Sequence, residues 1–329
     1  MGSSRSRTNK AILSIAIACG AALLFTSSVT MAERVAIGEF KYANYQAIMH
    51  LIKALVEDRL GGEVDIVPAN NSLMYEGMDR GKGEIDVHAD VWIPNQRDFM
   101  EKYVIEKGTV VYSEHTYSAN TGFCVPKYFA EEHNLTSVFD LARPEIAALL
   151  DSDGNGKGEI YIGLPGSAQV AINHVKVRDY GLLISNERVE ADFAVNYAAL
   201  DDAVRKGKGY AFFCWAPDGV WVLHDIVQLE EPPHDPSCVK MVQPKEDPDW
   251  LEKSKITCAD ATKQVQIAYS KSLEERAPTI TSLLAGIALD TELVSSWSYE
   301  IGSKKRDPAE VMREWIANNP EKVNSFFGL

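Results

Sequence analysis

The chain has 329 residues, of which 46% are hydrophobic, and its 47 acidic against 33 basic residues give a formal net charge of −14. This length and composition are enough for two domains of ordinary size, each with a buried core. The acidic balance argues against a nucleic-acid partner, because proteins that bind nucleic acid present a basic surface.

The N-terminal segment has the pattern of a secretory signal peptide. Basic residues precede an apolar run from residue 11 to residue 25, and this run is shorter than the about 20 residues that a membrane-spanning helix needs. Thr30 and Ala32 are the small residues of a cleavage site. We therefore expect residues 1–32 to be removed and the mature protein to be exported.

Strand and helix patterns alternate from the start of the mature chain. The β-rich run "RVAIGEF" is followed by apolar residues at helical spacing up to Gly61 and Gly62, and then by the strand pattern "EVDIVPA". This βαβ opening predicts an α/β fold with a parallel sheet flanked by helices. Further apolar strands are predicted at "EIDVHADVW", "GTVVYSEHTY", "EIYIGLP" and "GYAFFCW", and helices after about Thr262.

Aromatic residues stand where several of these strands end. In open α/β sheets a ligand site forms beyond the carboxyl ends of the strands, often between domains. A quaternary ammonium group has no hydrogen to donate, but aromatic faces attract it through their quadrupoles, by about 0.5 to 2 kcal/mol for each face. Each ring by itself is better explained as ordinary core, but the shared position of Tyr42, Trp92 and Trp215 favours a binding site. The candidate residues are Tyr42, Tyr45, Trp92, Tyr117 and Trp215.

The same strand ends carry carboxylates but no catalytic motif. Asp86 and Asp90 in "DVHADVW" either offset the positive charge of a ligand or cap and hydrate the strand end, and the sequence favours neither. His88 is expected to be a hydrogen-bonded polar residue. No nucleophile elbow, zinc-protease motif or phosphate-binding loop is present, so we expect no enzymatic activity.

The stretch "DSDGNGKGE" places oxygen ligands at alternate positions, as in calcium-binding loops. Ile162 stands where such loops carry a bidentate glutamate, so the pattern predicts a structural calcium ion rather than a sensor. The alternative is an acidic, glycine-rich turn without metal. The ligand series is Asp151, Asp153, Asn155, the carbonyl of Lys157, and Glu159.

Four cysteines remain after export. Cys238 and Cys258 lie in a polar, proline-rich region, where a disulfide bond can tie down a long loop in an oxidising compartment, and we predict that pair. Cys124 and Cys214 are expected to be small buried hydrophobic residues at strand ends, with other pairings left open.

The segments "IGEFKYANYQA", "EIDVHADVWIPN", "DSDGNGKGEIYIG" and "FFCWAPDGVWVLHDIVQLEEP" resemble the substrate-binding proteins of glycine betaine/proline-type ABC importers, including relatives that take choline or trimethylamine N-oxide. The resemblance runs over nearly all of the mature chain. It implies a type II periplasmic binding fold, in which two α/β lobes joined by a hinge close over the ligand. Trp92 and Trp215 match the family's cage tryptophans, and Tyr42 stands at the position of another.

One cage residue of the family is replaced. Relatives with the glycine-rich loop often carry a tryptophan shortly after it, where this sequence has Ser167, so Tyr117 or Tyr45 would have to supply the missing face. The backbone amides of residues Gly166, Ser167 and Ala168, at a predicted helix start, are candidates to hold a betaine carboxylate.

Together these features predict a monomeric periplasmic protein that delivers a quaternary ammonium osmolyte, such as glycine betaine, choline or trimethylamine N-oxide, to a membrane permease. Residues 33–115 and 226–329 are predicted to form one lobe, and residues 116–225 the lobe with the calcium loop. Another osmolyte, such as proline, ectoine or a sulfoniopropionate, is the main alternative. A calcium-dependent secreted hydrolase is the alternative from another class.

Overall fold

The computed structural model describes residues 1–3, 32–244 and 247–329. The predicted signal peptide, residues 1–32, therefore lies almost entirely outside the described residues. In the part of the chain that is described, no helix is both long and apolar enough to cross a membrane.

Among the described residues, ten strands form one mixed sheet in the order β2-β1-β3-β12-β5-β8-β6-β7, with β4 paired to β12 and β9 paired to β5. Two short strands, β10 and β11, pair separately. The strands are β1 (Arg34–Glu39), β2 (Glu63–Pro68), β3 (Val87–Ile93), β4 (Val110–Tyr112), β5 (Tyr117–Pro126), β6 (Gly158–Gly163), β7 (Asn186–Glu190), β8 (Ala211–Ala216), β9 (Ile226–Gln228), β10 (Val239–Lys240), β11 (Lys255–Ile256) and β12 (Lys263–Ser270).

The sheet contains two parallel blocks joined by antiparallel strands. Strands β2, β1 and β3 are parallel, as are β7, β6 and β8, whereas β12 and β5 between the blocks run antiparallel to their neighbours. Parallel strands need crossover connections, and helices supply them here. The predicted α/β fold is thus confirmed, with the βαβ opening at β1, α1 and β2.

Helices cover both blocks of the sheet. The helices are α1 (Ala43–Leu55), α2 (Asn71–Arg80), α3 (Arg97–Phe99), α4 (Lys127–His133), α5 (Pro144–Leu150), α6 (Ala168–Asp179), α7 (Phe193–Lys206), α8 (Val220–Leu223), α9 (Trp250–Lys253), α10 (Leu273–Arg276), α11 (Pro278–Gly286), α12 (Thr291–Ser298), α13 (Pro308–Asn318) and α14 (Pro320–Phe326). Wider π-helical turns continue α1, α3 and α12 to Leu60, Glu106 and Ser303. Helix α1 buries the apolar residues whose spacing predicted it, and the chain leaves it at Gly61 with a left-handed φ of 68°.

The apolar residues form two large cores, and the chain passes between them twice. In β5, Tyr117 and Ala119 belong to the first core and Phe123 to the second. On the return, Leu229 still packs in the second core, and Val265 is back in the first. The sequence placed the return at residue 226, which is too early. Strand β9 pairs with the far end of β5, and the segment after it packs on α6, where Arg178 Nη2 donates to the carbonyl of Ser254 at 2.7 Å.

A buried ionic network lies at the two crossings. Lys176 Nζ is 2.6 Å from Glu231 Oε2, with both side chains 1% exposed, and 3.3 Å from Asp260 Oδ1. Lys263 Nζ donates to Thr121 Oγ1 at 2.8 Å. Loss of one partner from such a pair leaves a buried charge uncompensated. The network therefore holds α6, the middle of β5 and the start of β12 together.

Two disulfide bonds are present among the described residues. Cys238 and Cys258 are bonded, as the sequence predicted. Cys124 and Cys214 are also bonded, which corrects the expectation that they are simply buried hydrophobic residues. Both lie inside the second core, on β5 and β8, and the antiparallel pairing of these strands brings their Cα atoms to 5.8 Å.

We predict that Cys124→Ala/Cys214→Ala lowers the free energy of unfolding by about 1 kcal/mol more than Cys238→Ala/Cys258→Ala does, because loop-closure entropy grows with the logarithm of loop length. The sequence separations are 90 and 20 residues. Urea unfolding of both variants and the wild type checks the order. An equal loss or the reverse order would contradict it.

Candidate functional site

Strand β3 brings His88, Asp90 and Trp92 to the site. Asp90 and Trp92 lie two positions apart near its carboxyl end and are joined by a hydrogen bond, whereas His88 is at its start, before an irregularity in the pairing with β12. Val265 of β12 pairs with Trp92 on one side and with Tyr117 on the other. Trp92 and Tyr117 therefore lie in one row across three strands, with Asp90 beside them.

Asp90 is the polar centre of this face and is only 4% exposed. Oδ2 accepts hydrogen bonds from Asn44 Nδ2 at 2.6 Å and from Trp92 Nε1 at 3.0 Å, and Oδ1 accepts one from the Tyr117 hydroxyl at 2.7 Å. Burial raises the pKa of Asp90 to about 6, although the three hydrogen bonds oppose this shift. Asp86 has a different role, since it accepts from the Ala36 amide and pairs with Arg276.

His88 is a neutral, fully buried residue that holds a neighbouring amide. Burial lowers its pKa to about 3. Nδ1 accepts from the backbone amide of Asp90 at 3.3 Å, so Nε2 carries the proton and donates to Asn71 Oδ1 at 2.9 Å. This is the hydrogen-bonded role that the sequence favoured, and it fixes the orientation of the Asn71 amide at the start of α2.

The opposite wall is built around Trp215 at the end of β8. The ring of Phe193, at the start of α7, meets it edge-on at 5.0 Å between centroids, and the ring of Phe213 lies at 5.7 Å. Trp221 donates from Nε1 to the carbonyl of Trp215 at 2.7 Å. These contacts hold the Trp215 ring and backbone in place.

The start of α6 completes this wall. Ser167 caps the helix, its Oγ accepting from the amide of Val170 at 3.2 Å, while its own amide donates to the carbonyl of Leu164 at 3.1 Å. Gln169 Nε2 donates to Asp260 Oδ2 at 3.2 Å and to Asn173 Oδ1 at 3.1 Å. The wall is thus attached to the ionic network at the crossings.

The two walls enclose a cavity of about 440 Å³. Trp92 comes from a strand of the first core and Trp215 from a strand of the second. The aromatic lining residues are Phe40, Tyr42, Tyr45, Trp92, Phe193, Phe213 and Trp215. The polar lining residues are Asn44, Asn71, Asp90, Asn95, Gln96, Ser167 and Gln169.

Six of the residues singled out from the sequence line this one cavity: Tyr42, Tyr45, Asp90, Trp92, Ser167 and Trp215. They differ in exposure. Tyr42 is 60% exposed at the rim, whereas Tyr45 is 2% exposed and its hydroxyl donates to the carbonyl of Gly38 at 2.8 Å.

Three residues that the sequence analysis proposed for ligand binding do not line the cavity: Tyr117, Gly166 and Ala168. Tyr117 lies behind Asp90 and acts through its hydrogen bond to that carboxylate. Gly166 is exposed, with a left-handed φ of 77°, and α6 begins at Ala168. Since the amide of Ser167 already donates within the turn, the predicted anion site at residues 166–168 has fewer free donors than expected.

The sequence missed several lining residues that the rule of strand ends could have found. Asn71 follows the end of β2, and Phe213 shares a face of β8 with Trp215, two positions apart. Phe193 carries no such signal, because only the tertiary packing of α7 brings it to Trp215. Trp297 and Trp315 pack in the first core and lie outside the cavity lining.

The glycine-rich loop lies apart from the cavity lining. One side-chain oxygen of each of Asp151, Asp153 and Glu159 lies within 4.8 Å of the others. Asp151 accepts from the amides of Gly154 at 2.7 Å and Gly156 at 2.8 Å, and these hydrogen bonds lower its pKa.

The remaining two members of the predicted ligand series also belong to the loop. Asn155 donates from Nδ2 to Asp153 Oδ2 at 3.1 Å, and the side chain of Lys157 donates to the carbonyl of Leu183 at 3.3 Å, which leaves the Lys157 carbonyl as its predicted ligand atom. Ile162 is buried in β6 and supplies no oxygen ligand from its side chain. Calcium at this loop stays a prediction.

A two-core α/β fold with two crossings and a cavity at the strand ends between the cores is the fold of type II periplasmic binding proteins. Lactococcal OpuAC in its closed conformation with glycine betaine is similar with a TM-score of 0.62 and 18% identity, over 90% of this chain and 99% of that chain. An ABC-transporter choline-binding protein in complex with choline gives 0.60 and 16%, over 90% and 91%. At 16% and 18% identity, this similarity is evidence for a shared fold only.

The family is shown by the sequence. The family model of the substrate-binding domain of ABC-type glycine betaine transport systems matches residues 33–318, and this chain belongs to that family. The glycine betaine-binding periplasmic protein OusX of Dickeya dadantii (strain 3937) is 30% identical over 121 residues, 35% of this chain and 36% of OusX. The glycine betaine/proline betaine-binding periplasmic protein of Escherichia coli (strain K12) is 28% identical over the same shares. The matched region thus spans about a third of these curated relatives.

We predict that Asp90 makes the ligand-free protein less stable as the pH rises from about 4 to about 7. The pKa of Asp90 in the folded protein is about 6, above its value in the unfolded chain, so the folded state binds the extra proton and loses that advantage as the pH passes 6. Asp90→Asn lacks this loss, and its stability relative to the wild type should improve by roughly 1 to 3 kcal/mol over this range. Thermal melts at several pH values check this, and parallel curves for the two proteins would contradict it.

Proposed function

We propose that this protein captures a small methylated ammonium compound outside the cytoplasm and delivers it to the membrane permease of an ABC importer. The observation that carries the proposal is that Trp92 and Trp215, from strands of different cores, line one cavity. Two indole faces there suit a group that cannot be held by hydrogen bonds. The two curated relatives named above are described as glycine betaine-binding and glycine betaine/proline betaine-binding periplasmic proteins, which supports the ligand class and the compartment.

Binding proceeds in this proposal by closure of the two lobes around the ligand. The lobes are connected by β5 and by the segment leading into β12, so a rotation there would bring the Trp92 and Trp215 walls together. Closure excludes water, and cation–π attraction strengthens as the site is desolvated. The protein acts as a monomer and performs no chemistry on the ligand.

The proposal is tested by titrating the refolded, ligand-free protein with glycine betaine, choline, trimethylamine N-oxide, proline, ectoine and dimethylsulfoniopropionate. Saturable heats for a methylated ammonium compound support it. Binding of proline, ectoine or dimethylsulfoniopropionate alone would favour the alternative osmolytes, and turnover of an ester or phosphoester panel would favour the calcium-dependent hydrolase. Either result contradicts the proposal.

We predict that Trp92→Ala and Trp215→Ala each weaken binding of the best ligand by roughly 3- to 30-fold, because each removes one aromatic face. Calorimetry is the measurement, since the substitutions remove fluorophores. Trp250→Ala is the matched control, because Trp250 is half-buried on α9 and lies outside the cavity lining. Wild-type affinity in either cavity variant, or an equal loss in the control, would contradict the two-sided cage.

We also propose that the loop from Asp151 to Glu159 binds a structural calcium ion. The grouping of three carboxylates within 4.8 Å supports this, and calcium prefers such oxygen ligands. The loop lies outside the cavity lining, so the ion would brace the second core rather than touch the ligand.

The calcium proposal predicts that 1 mM Ca²⁺ raises the melting temperature of the chelator-treated protein by about 3 to 8 °C, through preferential binding to the folded state. Asp151→Asn/Asp153→Asn should abolish the shift. The control Glu131→Gln/Glu132→Gln removes two exposed charges from α4 and should keep it. Altered ligand selectivity after chelation would show that the ion belongs to the binding site instead.

A further inference from the structure

In the described part of the chain, the cavity lining contains one acidic side chain and no basic side chain. Among the described lining residues, Asp90 is the only ionisable acid or base apart from the tyrosines, and lysine, arginine and histidine are absent. His88 lies behind the lining and is fully buried and neutral. An ionised Asp90 therefore gives the cavity wall a net negative charge.

Asp90 has no cationic partner among the described residues, unlike the buried carboxylates Asp86 and Glu231. Its three hydrogen-bond donors, on Asn44, Trp92 and Tyr117, are all neutral groups. By contrast, Asp86 pairs with Arg276 and Glu231 pairs with Lys176. A buried charge without a counter-charge is unfavourable, so a cation placed in the cavity would relieve a cost that already exists in the empty protein.

An anionic group on the ligand would be repelled by Asp90 and would find no cationic side chain in the described lining. Several lining donors are already used: Trp92 Nε1 and Asn44 Nδ2 point to Asp90, and Gln169 Nε2 donates to Asp260 and Asn173. The remaining donors on the lining side chains are neutral amides and hydroxyls. These suit a hydroxyl tail, whereas a carboxylate tail would face Asp90 without any cationic side chain in the lining to offset it.

We propose that Asp90 sets the charge class of the ligand, so that a net cation with a neutral polar tail, of the choline type, binds in preference to a zwitterion of the glycine betaine type. This inference rests on the proposed function and narrows it. Asp90 acts as a specificity-determining residue through its charge, while the aromatic faces recognise the methylated ammonium group that both ligand types share.

The test compares choline with glycine betaine, which differ mainly in a hydroxymethyl group against a carboxylate. Calorimetry on the refolded, ligand-free protein at pH 7.5 is expected to show choline binding at least about tenfold more tightly, the scale of one nearby charge at a partly solvated site. Equal affinities, or a preference for glycine betaine, would overturn the inference.

Asp90→Asn then tests the cause of the preference. The substitution keeps the shape of the side chain, its remaining oxygen can accept from Asn44 and Trp92, and the Tyr117 hydroxyl can turn to accept from the new amide. We expect choline affinity to fall at least about tenfold and glycine betaine affinity to stay within about threefold or rise. A choline preference that persists in this variant would overturn the role of Asp90.

The control is Asp218→Asn, which removes another buried carboxylate that bonds a tyrosine, at Tyr197, but does not line the cavity. It should keep the choline preference of the wild type. The analogue 3,3-dimethylbutanol, in which carbon replaces the charged nitrogen of choline, tests whether binding depends on the positive charge. It therefore distinguishes failure of the proposed function from failure of this inference alone. If no methylated ammonium compound binds, or if the neutral analogue binds as well as choline, the proposed function itself fails. If a methylated ammonium compound binds but choline is not preferred over glycine betaine, only this inference fails.

Discussion

The pairing register of β5 is the constraint on which the site depends. This strand runs through both cores, with Tyr117 in the same row as Trp92 through Val265, and Thr121 paired directly with Trp215. A slip of one residue would turn every side chain of the strand to the opposite face. The bond from Lys263 to Thr121 and the disulfide between Cys124 and Cys214 both hold β5 to its neighbours. The geometry of the cavity therefore follows from how one strand is anchored.

The cavity combines aromatic rings that face the ligand space with a buried carboxylate, Asp90, that has no counter-charge among the described residues. Trp92 belongs to both, because its ring lines the cavity while its Nε1 donates to Asp90. Asp90 in turn is held by three neutral donors and remains without a counter-charge, which is unfavourable for the empty protein. In the proposed function, a bound cation supplies the counter-charge that the described side chains do not provide for Asp90 in the ligand-free protein. Such a trade-off between stability and function is common at functional sites.

Much of the fold and part of the site could be predicted from the sequence. The βαβ opening, the strand-end positions of Trp92 and Trp215 and the pairing of Cys238 with Cys258 all follow from local patterns. The disulfide between Cys124 and Cys214 could not be predicted, because it depends on the antiparallel pairing of strands that are 90 residues apart. Phe193 reaches Trp215 only through the packing of α7, and the second crossing was placed too early because β9 extends the second core. Local sequence patterns predict helices, strands and the residues at strand ends. Long-range strand pairing and helix packing determine which of these residues come into contact, and local patterns do not contain that information.

The central claim is that one methylated ammonium group lies between two indole rings contributed by different cores. A crystal structure of the protein with its tightest-binding ammonium ligand tests this most directly. The account predicts the ammonium nitrogen within about 6 Å of the ring centroids of both Trp92 and Trp215. A ligand that is bound elsewhere, or that contacts only one of the two rings in a closed structure, would contradict it.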